Sequence, residues 1–266
     1  MEFDLMEWIH LGVRWMHVFA AILWIGTTYF FTWLDARFSA LMKKNDGEKN
    51  VWMVHSGGFY VVEKQKSPAS TPATLHWFKW ESALTWMSGI FLLGYLYYYG
   101  GLLVDETMSE RTAMIVGIAT IILSWPVYDF LWKTSLAKNE FVAAALSYAL
   151  IVACAYGLLQ YMAPRAAYMH VGALFGTLMT ANVWQVIIPA QRKMVAALTA
   201  QQPVDTSLGE RAKTRSKHNT YMVMPVVFIM ISNHFPTITY GSSANWIAVA
   251  LLIAVGWGVA MRVRRA

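Results

Sequence analysis

Seven histidines and one cysteine limit the redox chemistry open to this 266-residue chain. Cys154 alone makes no internal disulfide, no cysteine-ligated iron–sulfur cluster and no covalent c-type haem, each of which needs two or more thiols. A metal centre must rest on His, Met or carboxylate. His10, Arg14 and His17 fall at i, i+4 and i+7, so on a helix they share one face, with Trp24 two turns further on. His170 and His234 sit near the ends of two other apolar stretches. Two imidazoles from facing helices, one on each side of a porphyrin, hold a non-covalent b-type haem. His17 is the first choice of axial and metal ligand and His170 the second, with His234 next; His10 belongs to the same cluster. Arg14, one turn from His17, suits haem propionates. Gly12, Gly172 and Gly176 lie nearby and let a bulky ring approach the backbone. The plainer alternative is that each histidine is a hydrogen-bonded core or interfacial residue.

A second group of polar residues falls where apolar segments should exclude them. His76-Trp77-Phe78-Lys79-Trp80-Glu81 opens one stretch, and Asp129, Asn182, Gln185, Ser232 and Asn233 interrupt others. Lys79 and Glu81 are two apart and so do not simply pair on a helix. They read either as a functional interior or as a snorkelling anchor within an aromatic belt, with hydrogen bonds between helices accounting for the rest.

The elements that must position these groups follow from composition. The chain is 57% hydrophobic, 14% charged and 15% aromatic, with net charge +6. A soluble domain carries about a quarter charged residues, which excludes an ordinary soluble globule and a disordered chain. Windows of about 20 apolar residues predict an all-α, polytopic transmembrane helix bundle of about seven helices. The spans are Trp8–Asp35, Trp77–Tyr99, Thr112–Leu131, Phe141–Met162, Ala166–Pro189, a short Asn219–Asn233, and Trp246–Met261. The first has acidic residues before it rather than a basic n-region and is too long for a cleaved signal peptide. Of the 21 Lys and Arg, seventeen from Arg37 to Arg265 fall on one side of such a bundle. Arg111 and Arg165 fall on the other, which predicts the N-terminus outside and the C-terminus cytoplasmic. The basic charge is thus a topology signal, and no nucleic-acid partner is expected. Residues 1–266 read as a single integral membrane domain, with long cytoplasmic loops at about 36–76 and 191–218, the former aromatic at Trp52, Phe59 and Tyr60. Flexible linker is the bland reading for most of both.

Several stretches, in order along nearly the whole chain, resemble one family. They are Val13-Arg-Trp-Met-His17 with Trp24-Ile-Gly26, His55-Ser-Gly-Gly-Phe-Tyr60, and Trp77-Phe-Lys-Trp-Glu-Ser82 with Thr85-Trp-Met-Ser-Gly89. Later come Ile188-Pro-Ala-Gln-Arg-Lys193, Arg215-Ser-Lys-His-Asn219 and Ile231-Ser-Asn-His-Phe-Pro236. The resemblance is to the N-terminal membrane domain of the bacterial membrane-bound urate oxidases (urate hydroxylases). It implies a bacterial inner-membrane oxidoreductase of purine catabolism, taking urate to 5-hydroxyisourate and passing electrons to a cytochrome. That family commonly continues into another helix and a c-type cytochrome. This sequence ends at Arg262-Val-Arg-Arg-Ala266 without a Cys-x-x-Cys-His, so a separate c-type cytochrome or other redox subunit is the expected acceptor. A purine anion made in the cytoplasm needs a cation, hydrogen-bonding groups and aromatic faces. On this reading Lys79, Glu81, His76 and His55 are the candidate catalytic residues, and Trp80, Tyr60 and His218 the candidate substrate contacts. Glu81 or a histidine would be the base. Two other functions stay open: a non-catalytic haem-b electron-transfer or anchor subunit of a larger redox complex, and a transporter with Arg14, Glu81 and Asp129 on its pathway.

Overall fold

The computed structural model describes residues 4–44, 47–65, 68 and 74–265. It contains seven helical rods: α1 (Leu5–Lys44), α2 (Trp80–Leu93, continued by a π-helical turn Gly94–Tyr99), α3 (Glu110–Leu131), α4 (Glu140–Tyr161), α5 (Pro164–Thr199), α6 (Thr206–Ile231) and α7 (Asn245–Arg265). Five of them, α1, α3, α4, α5 and α7, are long and apolar enough to cross a membrane. The chain is a multi-pass, nearly all-α membrane protein, as the composition predicts.

The helices start and stop where local chemistry dictates. Ser109 accepts from the Thr112 amide to cap α3, Asn139 from Phe141 and Val142 to cap α4, and Asp205 from Ser207 to cap α6. Pro164 opens α5 at a position where its missing N–H costs nothing. Within α5, residues Asn182–Ile187 form a π-helical turn. Pro189 lacks the N–H that would bond the carbonyl one turn back, which loosens the ladder there.

The two expected loops are largely ordered. α1 runs on through 36–44, a stretch without Gly or Pro that carries Lys43 and Lys44 in its last turn, where cations suit the helix dipole. Residues Asn50–His55 and Gly58–Glu63 then form an antiparallel hairpin, β1 and β2. Its turn, Ser56-Gly57, has positive φ at both residues (51° and 75°), as a two-residue hairpin loop requires. Val51, Met53 and Val62 on one face pack against Leu34, Phe38 and Leu41 of α1. The other face, Trp52, Val54, Phe59 and Val61, is exposed. The second expected loop is mostly helix, α5 continuing to Thr199 and α6 starting at Thr206. Linker composition misled because helix ends that project beyond a membrane are as polar as loops.

α5 is the axis of the bundle, packed against α2, α3, α4 and α6, while α1 lies along α2, and α7 against α6 and α4. Residues Ala166–Gly172 and Leu174, Phe175, Leu178 and Met179 are all buried. α1 is the opposite case. Trp8, Leu11, Trp15, Phe19 and Ile22, spaced for a single helix face, are exposed, a stripe suited to lipid.

Candidate functional site

Polar side chains gather at two levels. Near the end that carries the hairpin, α3, α5 and α6 enclose a cavity of about 330 Å³, at the lower limit of small-molecule pockets. α3 contributes Asp129, and the turn after it Trp132 and Lys133; α5 contributes Gln185 and Lys193, and α6 contributes Arg211, Thr214, Arg215 and His218. Asp129 and Lys133, four residues apart across the end of α3, pair at 2.5 Å. The second carboxylate oxygen accepts from Arg215 Nη2 at 2.6 Å. The Arg215 side chain is only 6% exposed. Its guanidinium lies 4.8 Å from the Tyr128 ring centre, and its Nη1 has no hydrogen-bond partner among the described residues. Four cations thus face one carboxylate around this cavity.

A chain of hydrogen bonds fixes the wall behind them. The Met179 carbonyl can only accept, so the Asn219 amide nitrogen faces it at 3.0 Å. Asn219 Oδ1 then accepts from Asn182 Nδ2 at 2.8 Å, and the same amide donates to the Tyr128 hydroxyl at 3.2 Å. That hydroxyl donates its own hydrogen to His218 Nδ1 at 2.6 Å, which leaves the ring proton on Nε2. Trp132 packs on His218 with ring centres 4.0 Å apart. The π-turn of α5 is what brings buried Asn182 to this chain while Gln185 reaches the cavity. Such turns collect at functional sites.

The residues read from the sequence as substrate-handling do not form one cluster. His218 lines the cavity. Lys79 instead stacks on Trp80 and Trp184, 5.3 and 5.6 Å from the ring centres. His76 packs edge-on against Phe78 at 4.4 Å, and His55 shares a hydrogen bond with Ser56 at the hairpin turn. Tyr60 is exposed on β2, and Glu81 is half-buried in the first turn of α2. Arg215, Lys193, Arg211 and Lys133 are not among the site residues that the sequence suggests, because each also reads as a topology charge. Their signal was Arg215, His218 and Asn219 at i, i+3 and i+4 on one face.

At the opposite end the histidines occupy different settings. His17 Nδ1 donates to the Thr85 carbonyl at 2.9 Å and lies 3.1 Å from the Ser88 hydroxyl. A carbonyl only accepts, so Nδ1 carries the proton and the Nε2 lone pair is free of any hydrogen bond among the described residues. A Cβ at Gly89 would lie 2.9 Å from His17 Cε1, so this glycine makes the ring's berth. His170 is fully buried, with Nδ1 donating to the Ala166 carbonyl at 2.8 Å and Nε2 accepting from the Tyr98 hydroxyl at 2.8 Å. A Cβ at Gly117 would stand 2.7 Å from that Nε2. His17 could therefore hold a haem iron through Nε2, with its other nitrogen oriented by backbone. His170 cannot as it stands, because its lone pair is committed to Tyr98. His10 pairs with Arg14 at 3.0 Å and packs against Tyr95, and His234 is exposed in the turn after α6. Among the described residues no three His, Cys, Asp or Glu gather as a metal site.

The family profile described as "Urate oxidase N-terminal" matches residues 4–263. The chain belongs to that family. Neither the curated proteins nor the solved structures gave a match. Both clusters of this urate oxidase N-terminal chain, the cavity and the His17 and His170 settings, fall inside the matched span.

Proposed function

We propose that the chain is a membrane oxidoreductase that oxidises urate, or a related purine, and delivers the electrons to a cytochrome. The observation that carries this reading is the family match across 4–263. The overall change is urate plus water giving 5-hydroxyisourate, two protons and two electrons, so a one-electron acceptor must be reduced twice per turnover. In this reading the hairpin end faces the cytoplasm of a bacterium, where the excess of Lys and Arg belongs. Substrate is handled at that end, and electrons leave at the other.

His17 would hold a non-covalent haem b through Nε2, and a haem there would carry electrons singly. The chain's own part is to fix the His17 tautomer through Thr85 and to leave space at Gly89. His170 becomes a second ligand only if Tyr98 gives up its hydrogen bond. The test is purified protein mixed with urate and oxidised cytochrome c. Urate-dependent reduction of about two cytochromes per urate is expected. A His17→Ala variant should lose the dithionite-reduced haem bands, while His55→Ala keeps them. No acceptor reduction by urate in the wild-type protein overturns the reading.

A further inference from the structure

The cavity between α3, α5 and α6 holds an unresolved electrostatic problem. Arg215 is 5% exposed and its Nη1 has no partner among the described residues, although burial of a charged donor without a hydrogen bond is costly. Asp129 satisfies only Nη2 and divides its charge with Lys133. Lys193 and Arg211 add further positive charge, and among the described residues no second carboxylate lines the same space. Such an arrangement is completed by an anion. The cavity's lining is set by the wall, where the rings of Trp132 and His218, packed at 4.0 Å and tilted by 52°, each offer an aromatic face and Gln185 and Thr214 offer neutral hydrogen bonds. The size admits one small bicyclic molecule rather than a nucleotide.

We infer that this cavity is the binding site for the purine, taken as a planar, singly charged heteroaromatic anion, with Arg215 as its buried charge anchor. This rests on the oxidoreductase reading for the ligand's identity, but not for the site's preference for anions. The guanidinium presents parallel N–H groups that match two adjacent acceptors of an oxopurine. Asp129 accepts from Nη2 and so holds the guanidinium in place, acting as a positioning residue. The Tyr128 hydroxyl keeps the His218 proton on Nε2, so the neutral imidazole offers a donor rather than a competing lone pair. Lys193 and Arg211, both exposed, draw the anion to the mouth.

The experiment is equilibrium binding of urate to the purified full chain with no electron acceptor present, beside steady-state turnover with cytochrome c. Arg215→Gln should weaken urate binding by about 30-fold or more, the loss typical of one partner of a buried charge-assisted contact. Arg211→Gln and Lys193→Gln should each weaken it about 2- to 5-fold, and less at high salt. Lys213→Gln, an exposed neighbour on α6 that does not line the cavity, removes the same charge and should leave binding unchanged. If Arg215→Gln fails to fold, the two mouth variants against Lys213→Gln decide the matter. Wild-type turnover with the same KM in all cavity variants overturns the site and leaves the oxidoreductase reading standing. Arg215-dependent urate binding without turnover supports the site and overturns that reading. Neither binding nor turnover in the wild-type protein overturns both.

Discussion

Asp129→Ala isolates the electrostatics of the cavity from its chemistry. The Asp129 side chain is 16% exposed and that of Arg215 6%, while Lys133, its other partner, is 68% exposed and well screened. Removing the carboxylate leaves a buried guanidinium with two unpaired ends, since Nη1 already has no partner among the described residues. Losing one member of a buried ion pair costs about 3–5 kcal/mol. The Tyr128 contact at 4.8 Å is present in both proteins and cancels, and the partial exposure of Asp129 puts the cost at the lower end. A destabilisation of about 3 kcal/mol follows, more than a hundredfold in the unfolding equilibrium. Arg215→Met is milder, about 1 kcal/mol, because Asp129 keeps Lys133 and some water. The double variant, apolar on both sides, should recover most of the Asp129→Ala loss. Unfolding titrations in detergent for all four proteins give the coupling directly. An Asp129→Ala cost below about 1 kcal/mol, or additive losses in the double variant, would refute the claim that Asp129 compensates a buried charge on Arg215.

Three further outcomes are expected. Gly89→Ala drives a methyl to within 2.9 Å of the His17 ring, so it should cost about 1–3 kcal/mol by overpacking and shift the spectrum of any haem bound there, read by thermal unfolding and absorbance. Tyr98→Phe strands His170 Nε2 in a fully buried site at about 1–3 kcal/mol, whereas unchanged stability would mean that another group, such as iron, satisfies that nitrogen. Asp205→Ala should fray the first turn of α6 in hydrogen exchange at neutral pH. The hydrogen bonds from Ser207 hold this carboxyl below its usual range, so the cap's contribution is present above the unfolded pKa and is lost as pH falls through the folded one.

Much of the architecture was legible because a bilayer leaves a coarse signature, one apolar window per helix. Helix order follows from it, whereas the central position of the fifth helix does not. What the windows hide is everything beyond the hydrocarbon. Leu34, Phe38 and Leu41 keep helical spacing past Asp35, and Val51, Met53 and Val62 alternate as a strand pair should, yet both patterns sit in polar surroundings that read as linker. The site was legible in fragments. His218, Asp129, Asn182 and Gln185 stand out as polar groups where few belong. Arg215 and Lys193 are the same residue types that signal topology, so composition cannot separate an anchor from an interfacial charge. Tyr128 leaves no trace in the sequence, since an aromatic in an apolar run is the commonest thing there. The geometry of the Met179–Asn219–Asn182 relay singles it out.

The π-helical turn of α5 also makes this rod two pieces of differing phase. A π turn accommodates about one residue more than the α ladder does, so the segment after Ile187 is rotated by roughly 100° relative to the one before Asn182. The upper piece presents His170 and the lower piece presents Lys193, each indexed to its own neighbours. The turn works as a coupling between two shafts. A single-residue insertion or deletion absorbed within Asn182–Ile187 would re-time one end against the other while leaving both helical surfaces intact, so the two ends of the molecule can be retuned by evolution separately.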